Sequence, residues 1–308
     1  TLEKAPENTS VDTTIRAQWA AFRGDNALGM TDAPTPYAPE DAEPLWAVRY
    51  GQEDASGAPI LVDGDVVICD GTTLLRLDRD TGAIRVEGTM AGVSAAAPTY
   101  ADGMLFVCLT GGRIQAFNAA TLQSLWLYED PLGGQPSGSA TCRDGYLYAG
   151  FQNDAGQDGS FVCLSAADED PTREEEEKLA SWRYTGASGF GAAAYVGESY
   201  VVVGTTADTD GARLLVFGRR DGRLADVHDG IRGDVRSAIS YDPSSDRVFF
   251  TSVGGVLYNA KIDQNTGAIT DFRQAILKDA KDETYAASAA APSVCNGRVY
   301  VGVSGKTR

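Results

Sequence analysis

The sequence predicts an all-β fold, a β-propeller of four-stranded antiparallel blades. A phrase of strands and turns recurs along the 308 residues, at a spacing of roughly 40–50 residues, which is the period of a propeller blade. Most copies contain Asp-Gly or a related pair between alternating apolar residues, the strongest short-range signal for a β-hairpin. The apolar residues do not follow the 3.6-residue period of helical repeats.

The first half of each repeat predicts a hairpin of two strands. It reads APILVDGDVVI from Ala58, AAPTYADGMLFV from Ala96 and SGSATCRDGYLYAG from Ser137, and looser copies begin at Phe190, Ser237 and Ala290. The second half adds a strand, a polar turn and another strand. It reads TTLLRLDRDTGAIRVEG in the first copy and GVLYNAKIDQNTGAITDFRQ in the fifth.

The repeats divide the chain into two parts. Residues 43–308 are predicted to form about five complete blades and a partial sixth, because the last copy stops at VYVGVSGKTR. Since an open ring exposes unpaired strand edges, we expect the natural propeller to continue and to close at seven blades, with eight as the alternative. Residues 1–42, which are rich in Asp, Ala, Thr and Pro, are predicted to be an N-terminal arm and linker.

The stretch DRDTG, with Asp78, Asp80 and Gly82, resembles the start of a calcium-binding loop. Other copies carry NAATL, RRDG or DQNTG at this place, so the turn recurs while the carboxylates do not. A capped turn with glycine at positive φ is therefore predicted rather than a metal site. In the third copy the turn has expanded, and Glu174 and Lys178, spaced i,i+4, predict a short surface helix. An acidic contact patch for a basic partner is the alternative for this run.

Composition excludes several classes of function. A net charge of −17 argues against nucleic-acid binding and against docking on anionic lipid, and no apolar run reaches the ~20 residues of a membrane-spanning helix. The single histidine, His228, cannot form a multi-histidine metal site, and no Ser–His–Asp group can be nominated. The cysteines form no C-x-x-C pair and are predicted to be buried small residues, with one bridged pair left open: Cys69, Cys108, Cys142, Cys163 and Cys295.

An apolar–Asp–x–x–Thr–Gly–x–x–x–Trp phrase and its relatives recur at the outer turns, as in LDRDTGAIRV, FNAATLQSLW, LASW and IDQNTGAITDF. In these residues the chain, from about residue 15 to 308, resembles the quinoprotein-like, or PQQ-binding-like, β-propeller repeat family. The resemblance implies that Trp126 and Trp182 dock one blade on the next, with stacking on a sugar or quinone as the alternative. Trp46, in the predicted outer strand EPLWAVRYG, is assigned the same role. Units one, four and five lack this tryptophan and carry Val86, Val227 and Phe272 roughly in its place.

The resemblance also bounds the activity. Family members that oxidise alcohols or sugars hold a calcium ion and pyrroloquinoline quinone (PQQ) with carboxylate and amide ligands, a catalytic aspartate and often a vicinal disulfide. No Cys-Cys pair occurs in this sequence and no such ligand cluster can be placed. We therefore expect no cofactor, no metal, no catalytic residue and no enzymatic activity. The expected function is that of a binding scaffold for a protein, peptide or glycan. A degenerate PQQ-dependent dehydrogenase and a carbohydrate-binding propeller are the alternatives.

The lead-in QWAAFRGDNALGMTDAPTP looks like that of bacterial surface members of the family. It implies an extracytoplasmic protein, at the cell surface or secreted, without membrane insertion of this segment. The loops between units are rich in small residues, which crowding near the propeller axis explains. A few larger side chains in these loops are predicted to face the channel mouth, the default place for a ligand: Asp54, Gln135, Phe190, Arg236 and Tyr285.

Overall fold

The computed structural model of the chain describes residues 10–24, 27–31, 43–49, 56–94, 96–186, 189–208, 210–278 and 286–304. The regular elements of these residues are β-strands, grouped in five blades of four antiparallel strands and one two-stranded sheet. The predicted all-β propeller, with five complete blades and a partial sixth, is confirmed.

The strands follow one another from the inside of each blade to the outside. Strand β1 (Ala17–Trp19) precedes the blades. Blade 1 contains β2 (Ser56–Val62), β3 (Asp65–Asp70), β4 (Thr73–Asp78) and β5 (Ile84–Thr89). Blade 2 contains β6 (Thr99–Ala101), β7 (Met104–Leu109), β8 (Arg113–Asn118) and β9 (Ser124–Glu129).

Blade 3 has a divided inner strand and one strand that leaves the blade. It contains β10 (Gln135–Pro136), β11 (Thr141–Arg143), β12 (Tyr146–Gln152), β13 (Ser160–Ser165) and β15 (Ala180–Thr185), whereas β14 (Glu176–Lys178) joins blade 2. Blade 4 contains β16 (Tyr195–Val196), β17 (Tyr200–Gly204), β18 (Ala212–Gly218) and β19 (Leu224–Ile231). Blade 5 contains β20 (Ser240–Asp242), β21 (Arg247–Ser252), β22 (Val256–Ile262) and β23 (Ile269–Ile276), and blade 6 contains β24 (Ser293–Cys295) and β25 (Arg298–Tyr300).

The turn between the first two strands of a blade, here called the inner turn, has the backbone that the Asp-Gly signal predicts. Asp63 and Gly64 both have positive φ, +53° and +77°, and so do Asp102 and Gly103, at +47° and +84°. Two consecutive residues of positive φ define a type I′ turn, whose twist matches that of the flanking strands. The same backbone recurs at 144–145 and at 296–297.

The turn between the third and fourth strands, here called the outer turn, explains the DRDTG stretch. Asp78 Oδ1 accepts hydrogen bonds from the backbone N–H of Asp80 (3.0 Å) and Thr81 (2.8 Å) and from the Thr81 hydroxyl (2.9 Å). These bonds, led by that of the Thr81 side chain and followed by that of Arg85, lower the pKa of Asp78 to about 2. Gly82 has φ +72°. The carboxylate closes its own turn.

The hydrophobic core lies between the blades. One buried cluster joins blades 1 and 2, and three more join blades 2 and 3, 3 and 4, and 4 and 5. The faces that neighbouring blades turn toward each other are apolar and pack together, as in sheets stacked face to face. The inner strand β11 contacts both β6 and β16, so the inner strands of consecutive blades lie side by side.

Tryptophan side chains dock one blade on the outer turn of the next. Trp126 Nε1 donates a hydrogen bond to the carbonyl of Ala166 (3.1 Å), and Trp182 Nε1 donates to the carbonyl of Arg219 (3.1 Å). Trp46 Nε1 makes the corresponding bond to the carbonyl of Arg79 (2.7 Å), in the first outer turn, but the described residues 43–49 around it form no strand, so the predicted outer strand is wrong over those residues. In all three cases the acceptor is the residue that follows the first residue of the turn.

Blade 1 makes the same connection with a different side chain. Val86 stands where blade 2 has Trp126, and Arg76 stands where blade 2 has the small Ala116. Arg76 Nη1 donates to the carbonyl of Ala119 (3.0 Å), which is the equivalent acceptor in the outer turn of blade 2. In blade 1 the large hydrogen-bond donor therefore lies on the third strand, whereas in blade 2 it lies on the fourth, and both donate to the equivalent carbonyl of the next outer turn.

In blades 4 and 5 the position that corresponds to Trp126 is not Val227 or Phe272, as predicted, but the residue before each of them. The N–H of Gly218 bonds to the carbonyl of Arg223, and that of Asp263 bonds to the carbonyl of Ala268, as in the first outer turn. Counting from these residues gives Asp226 and Asp271. Asp226 Oδ2 accepts from the N–H of Ile269 in blade 5 (2.7 Å), so it still links neighbouring blades.

The short helix predicted over Glu174–Lys178 is wrong. Residues 176–178 form β14, which pairs in parallel with β9 on the outer edge of blade 2. Lys178 is buried above Trp126 and binds Glu176 (3.2 Å), Glu169 (3.3 Å) and the carbonyl of Ala167 (2.5 Å). Strand pairing and burial outweigh i,i+4 attraction, which contributes only about 0.2–0.5 kcal/mol per pair.

Candidate functional site

A segment of the N-terminal arm lies across the inner turns. We call its described residues, 10–24 and 27–31, the strap. Strand β1 pairs antiparallel with β2 of blade 1, and the N–H of Asp63 donates to the carbonyl of Arg16 (2.8 Å). The N–H of Tyr100, in blade 2, donates to the carbonyl of Ala20 (2.7 Å), and its hydroxyl donates to the carbonyl of Ile15 (2.8 Å). Blades 1 and 2 thus hold the strap mainly through its main chain.

The other end of the strap reaches the last two blades. Ser240 Oγ of blade 5 shares its proton between the carbonyls of Ala27 (3.0 Å) and Pro292 (2.7 Å), and Arg23 Nη2 donates to Ser293 Oγ of blade 6 (2.5 Å). At the start of the strap, Ser10 Oγ donates to Asp168 Oδ2 of blade 3. One segment therefore connects blades 1 and 2 with blades 5 and 6.

Arg23 shapes the strap where it turns. Its Nε donates to the carbonyl of Ala27 (2.9 Å) and its Nη2 to that of Leu28 (3.1 Å). Partial burial lowers the pKa of Arg23. Gly24 has φ +64° and faces the Trp19 ring, which a Cβ at this glycine would approach to 3.3 Å. The sequence signal for this element was the group of Trp19, Arg23 and Gly24 in an otherwise polar arm.

The strap forms one wall of a cavity of about 430 Å³. Ala20, Ala21 and Phe22 contribute that wall, and the inner strands of blades 2, 3 and 4 contribute the others. The volume lies within the range of small-ligand pockets. It is the candidate functional site, and it lies at the end of the inner strands that carries the inner turns.

Three polar side chains of the cavity also connect adjacent blades. Thr99 Oγ1 donates to the carbonyl of Ala140 (2.6 Å), and Thr141 Oγ1 donates to that of Ala194 (2.9 Å). Arg143 Nη1 donates to the carbonyl of Val196 (2.7 Å). Among the residues that the structure describes, the lining includes hydroxyls and one guanidinium but no carboxylate.

Tyr195 and Cys142 complete the wall of the cavity. The Tyr195 ring stacks on Tyr241, with ring centroids 4.4 Å apart, and burial raises the pKa of Tyr195. Burial also raises the pKa of the Cys142 thiol to about 12. All five cysteines carry free thiols, so no pair is bridged. The Cys142 thiol is therefore neutral and weakly nucleophilic at neutral pH.

The structure separates the side chains that the sequence assigned to the channel mouth. Gln135 is exposed in β10. Arg236 is exposed, and its Nε and Nη2 both donate to Asp234 Oδ2, at 2.9 and 2.8 Å. Phe190 is instead fully buried between blades 3 and 4, 5.6 Å from the Phe161 ring centre, because a large apolar side chain gains more from the core than from a loop surface. Asp54 and Tyr285 lie outside the described residues.

The described residues contain no group of three or more His, Cys, Asp or Glu side chains arranged to hold a metal ion. Among them, no helix has the length and apolarity needed to cross a membrane. His228 lies against Phe272, with ring centres 3.6 Å apart, on the outer strands of blades 4 and 5.

Comparison with known proteins shows what the repeats resemble. A family model described as outer membrane protein assembly factor BamB, built on PQQ-like repeats, matches residues 35–168. No curated protein sequence matches the chain. The resemblance to PQQ-like repeat propellers is confirmed by this match together with the solved structures that the fold resembles.

Three of those structures show how far the likeness extends. BamB from Moraxella catarrhalis is 18% identical with a TM-score of 0.51, and the alignment covers 78% of this chain and 64% of that one. The computationally designed Ika8 protein is 13% identical with a TM-score of 0.61, over 82% and 69% of the two chains. The quinohemoprotein alcohol dehydrogenase from Comamonas testosteroni is 13% identical with a TM-score of 0.53, over 73% and 43%. These values show a shared fold, and the chain spans less than two thirds of the BamB and dehydrogenase chains.

Proposed function

We propose that this chain, a β-propeller of PQQ-like repeats, is a non-enzymatic binding scaffold that acts outside the bacterial cytoplasm, at the cell surface or in secreted form. The observation that carries the proposal is the strap. Blades 1, 2 and 5 already hold one polypeptide segment through donors aimed at its main-chain carbonyls, those of Arg16, Ala20 and Ala27. Main-chain recognition of this kind suits protein or peptide ligands.

Electrostatics supports a protein or peptide partner. The net charge of −17 disfavours a phosphate backbone or an anionic membrane as a partner and keeps the protein soluble. The matching family model is described as an outer membrane protein assembly factor, which supports a location outside the cytoplasm.

A degenerate quinone-dependent dehydrogenase is the second candidate, favoured by the fold shared with a quinohemoprotein alcohol dehydrogenase. Bound PQQ with calcium would supply redox chemistry, and its ion needs several oxygen ligands, chiefly carboxylates. The part of the cavity that the structure describes does not fit this pair, because its lining residues include no carboxylate and three of its polar side chains, Thr99, Thr141 and Arg143, already bind neighbouring carbonyls. We therefore derive no step through the cofactor.

Thermal unfolding and turnover measurements distinguish the candidates. The purified protein is incubated with PQQ and Ca²⁺, with a library of extended peptides, or with a glycan array. The scaffold proposal expects saturable peptide binding and no dye-linked alcohol oxidation. Oxidation of alcohols that depends on added PQQ and Ca²⁺, with a raised melting temperature, would overturn it. Selective binding to the glycan array alone would instead establish the carbohydrate-binding alternative.

A further inference from the structure

We propose that the surface under the strap is a peptide-binding groove that is occupied in cis, and that release of the strap opens the cavity to an extended peptide of another molecule. The inference rests on the proposed binding function and names its ligand class. Three features of the described residues carry it: the type of bond that holds the strap, the place of the strap over the cavity, and the separation of its anchors.

Most of the bonds between the described blades and the strap reach its main chain, while Ser10, Gln18 and Arg23 bond through their side chains. The N–H groups of Asp63 and Tyr100 and the hydroxyls of Tyr100 and Ser240 all donate to strap carbonyls. An added strand recognised in this way brings its own carbonyls whatever its sequence, which is the basis of β-strand addition in peptide-binding domains. The groove therefore suits an extended peptide rather than one particular side chain.

Specificity comes from one turn of the strap. Arg23 binds two carbonyls of its own segment and Ser293 of blade 6, and Trp19 lies over Gly24. A competing peptide needs an aromatic residue four or five positions before an Arg-Gly pair to reproduce this turn. The matching pattern in this chain is Trp19 to Arg23-Gly24.

The strap also closes the cavity. Ala20, Ala21 and Phe22 are wall residues, so lifting them exposes the inner strands and the Cys142 thiol. Cys108 is fully buried between blades 2 and 3 and does not line the cavity. The alkylation rate of Cys142 relative to that of Cys108 therefore reports the position of the strap.

The test uses the whole chain with a specific protease site placed between Thr31 and Glu43. After folding, the site is cut, and a fluorescent synthetic peptide with the sequence of residues 10–31 is added in excess. Anisotropy follows exchange of the peptide into the groove, and mass spectrometry follows iodoacetamide labelling of each cysteine. We expect the labelled peptide to replace the cut strap, and we expect Cys142 labelling to rise at least tenfold when the strap leaves and to fall when peptide returns.

Point variants locate the binding surface. Tyr100→Phe keeps the ring and removes the hydroxyl that binds Ile15, and loss of one hydrogen bond should weaken peptide binding about threefold to tenfold. Tyr184→Phe removes a hydroxyl in β15 of blade 3 and should leave peptide affinity unchanged. A peptide carrying Arg23→Ala should bind more weakly than the parent peptide, because it loses the bond to Ser293.

Two outcomes overturn the inference. In the first, the cut strap stays in place against a large excess of peptide and Cys142 remains as protected as in the uncut protein. In the second, the strap leaves on cutting and no peptide rebinds. Either result leaves the proposed function standing, because the peptide-library and glycan tests of that function measure binding to the uncut protein, on surfaces that the strap does not cover. Conversely, alcohol oxidation that depends on added PQQ and Ca²⁺ would refute the proposed function whether or not the strap exchanges.

Discussion

Replacement of Arg76 by alanine tests the docking of blade 1 on blade 2. Arg76 is buried, and its Nε lies 2.7 Å from Asp65 Oδ2 while its Nη1 lies 3.0 Å from the Ala119 carbonyl. The variant leaves a buried carboxylate and a carbonyl of the next blade without this donor. Asp65 keeps one cation, Arg85, whose Nε lies 3.2 Å from Oδ1.

The magnitude follows from these contacts. Breaking a buried ion pair by removing one partner costs about 3–5 kcal/mol, and the remaining cation near Asp65 places the expected loss at the lower end, about 3 kcal/mol. With a urea m-value of about 3 kcal/mol/M, the midpoint of unfolding should fall by about 1 M. Equilibrium urea unfolding followed by tryptophan fluorescence and far-UV circular dichroism measures it.

Two further variants decide whether the reasoning is right. Arg79→Ala removes an exposed pair with Asp80 (3.4 Å), so it should change the free energy of unfolding by less than about 0.5 kcal/mol. Adding Val86→Trp to Arg76→Ala recreates the tryptophan–alanine pair of blade 2 and should recover about 1 kcal/mol, the worth of one hydrogen bond. A loss for Arg76→Ala as small as that of Arg79→Ala would refute the docking argument.

Three other predictions concern turns and the insertion. Gly222→Ala should lower the free energy of unfolding by about 2–4 kcal/mol in urea, because Gly222 has φ +65° and its Cβ would lie 2.5 Å from Trp182; Gly64→Ala, also at positive φ but with nothing within 4 Å, should cost only about 1 kcal/mol. The pKa of Asp78 is lowered to about 2 in the folded protein, so the stability that its carboxylate contributes is complete above the unfolded pKa of about 4 and is lost as the pH falls from about 4 to about 2. In Asp78→Asn the melting temperature should therefore decline less steeply over this pH range. A slope equal to that of the parent protein would contradict the prediction. Lys178→Met removes the buried cation that binds Glu176, so a Glu-specific protease should cut the insertion at least tenfold faster than in the parent protein, whereas equal rates would show that Lys178 does not anchor β14.

The fold could be predicted because local and long-range signals agree. Asp-Gly and Asn-Gly pairs impose type I′ turns whatever surrounds them, as the positive φ of Asp63 and Asn296 shows. Alternating apolar residues on both sides of each turn then require a partner for each face of the blade, and the next repeat provides it. When local turn preferences and long-range packing favour the same structure, the fold can be predicted from the sequence.

The prediction failed where a weak local preference met a stronger tertiary contact. The spacing of Glu174 and Lys178 favours a helix, but the edge of β9 offers backbone pairing and the Trp126 ring covers Lys178. Phe190 lies among small loop residues, yet the apolar space between blades 3 and 4 takes it up. Neither site is visible from the nearby sequence, because both are formed by residues far away along the chain.

The two segments that depart from the repeat, the strap and the insertion of blade 3, use the propeller in the same way. Each adds a strand to a blade: β1 pairs with the inner strand β2, and β14 pairs with the outer strand β9. Both therefore satisfy main-chain groups that would otherwise face solvent at a sheet edge. The two segments are fixed in different ways. Lys178 of the insertion is buried and paired with Glu169 and Glu176. The turn of the strap is held by Arg23, a half-buried residue that donates a hydrogen bond to Ser293. Withdrawing the insertion would break buried charge pairs, while withdrawing the strap would break hydrogen bonds that an incoming peptide can replace. Of the two added strands, the strap is the one that a partner can exchange.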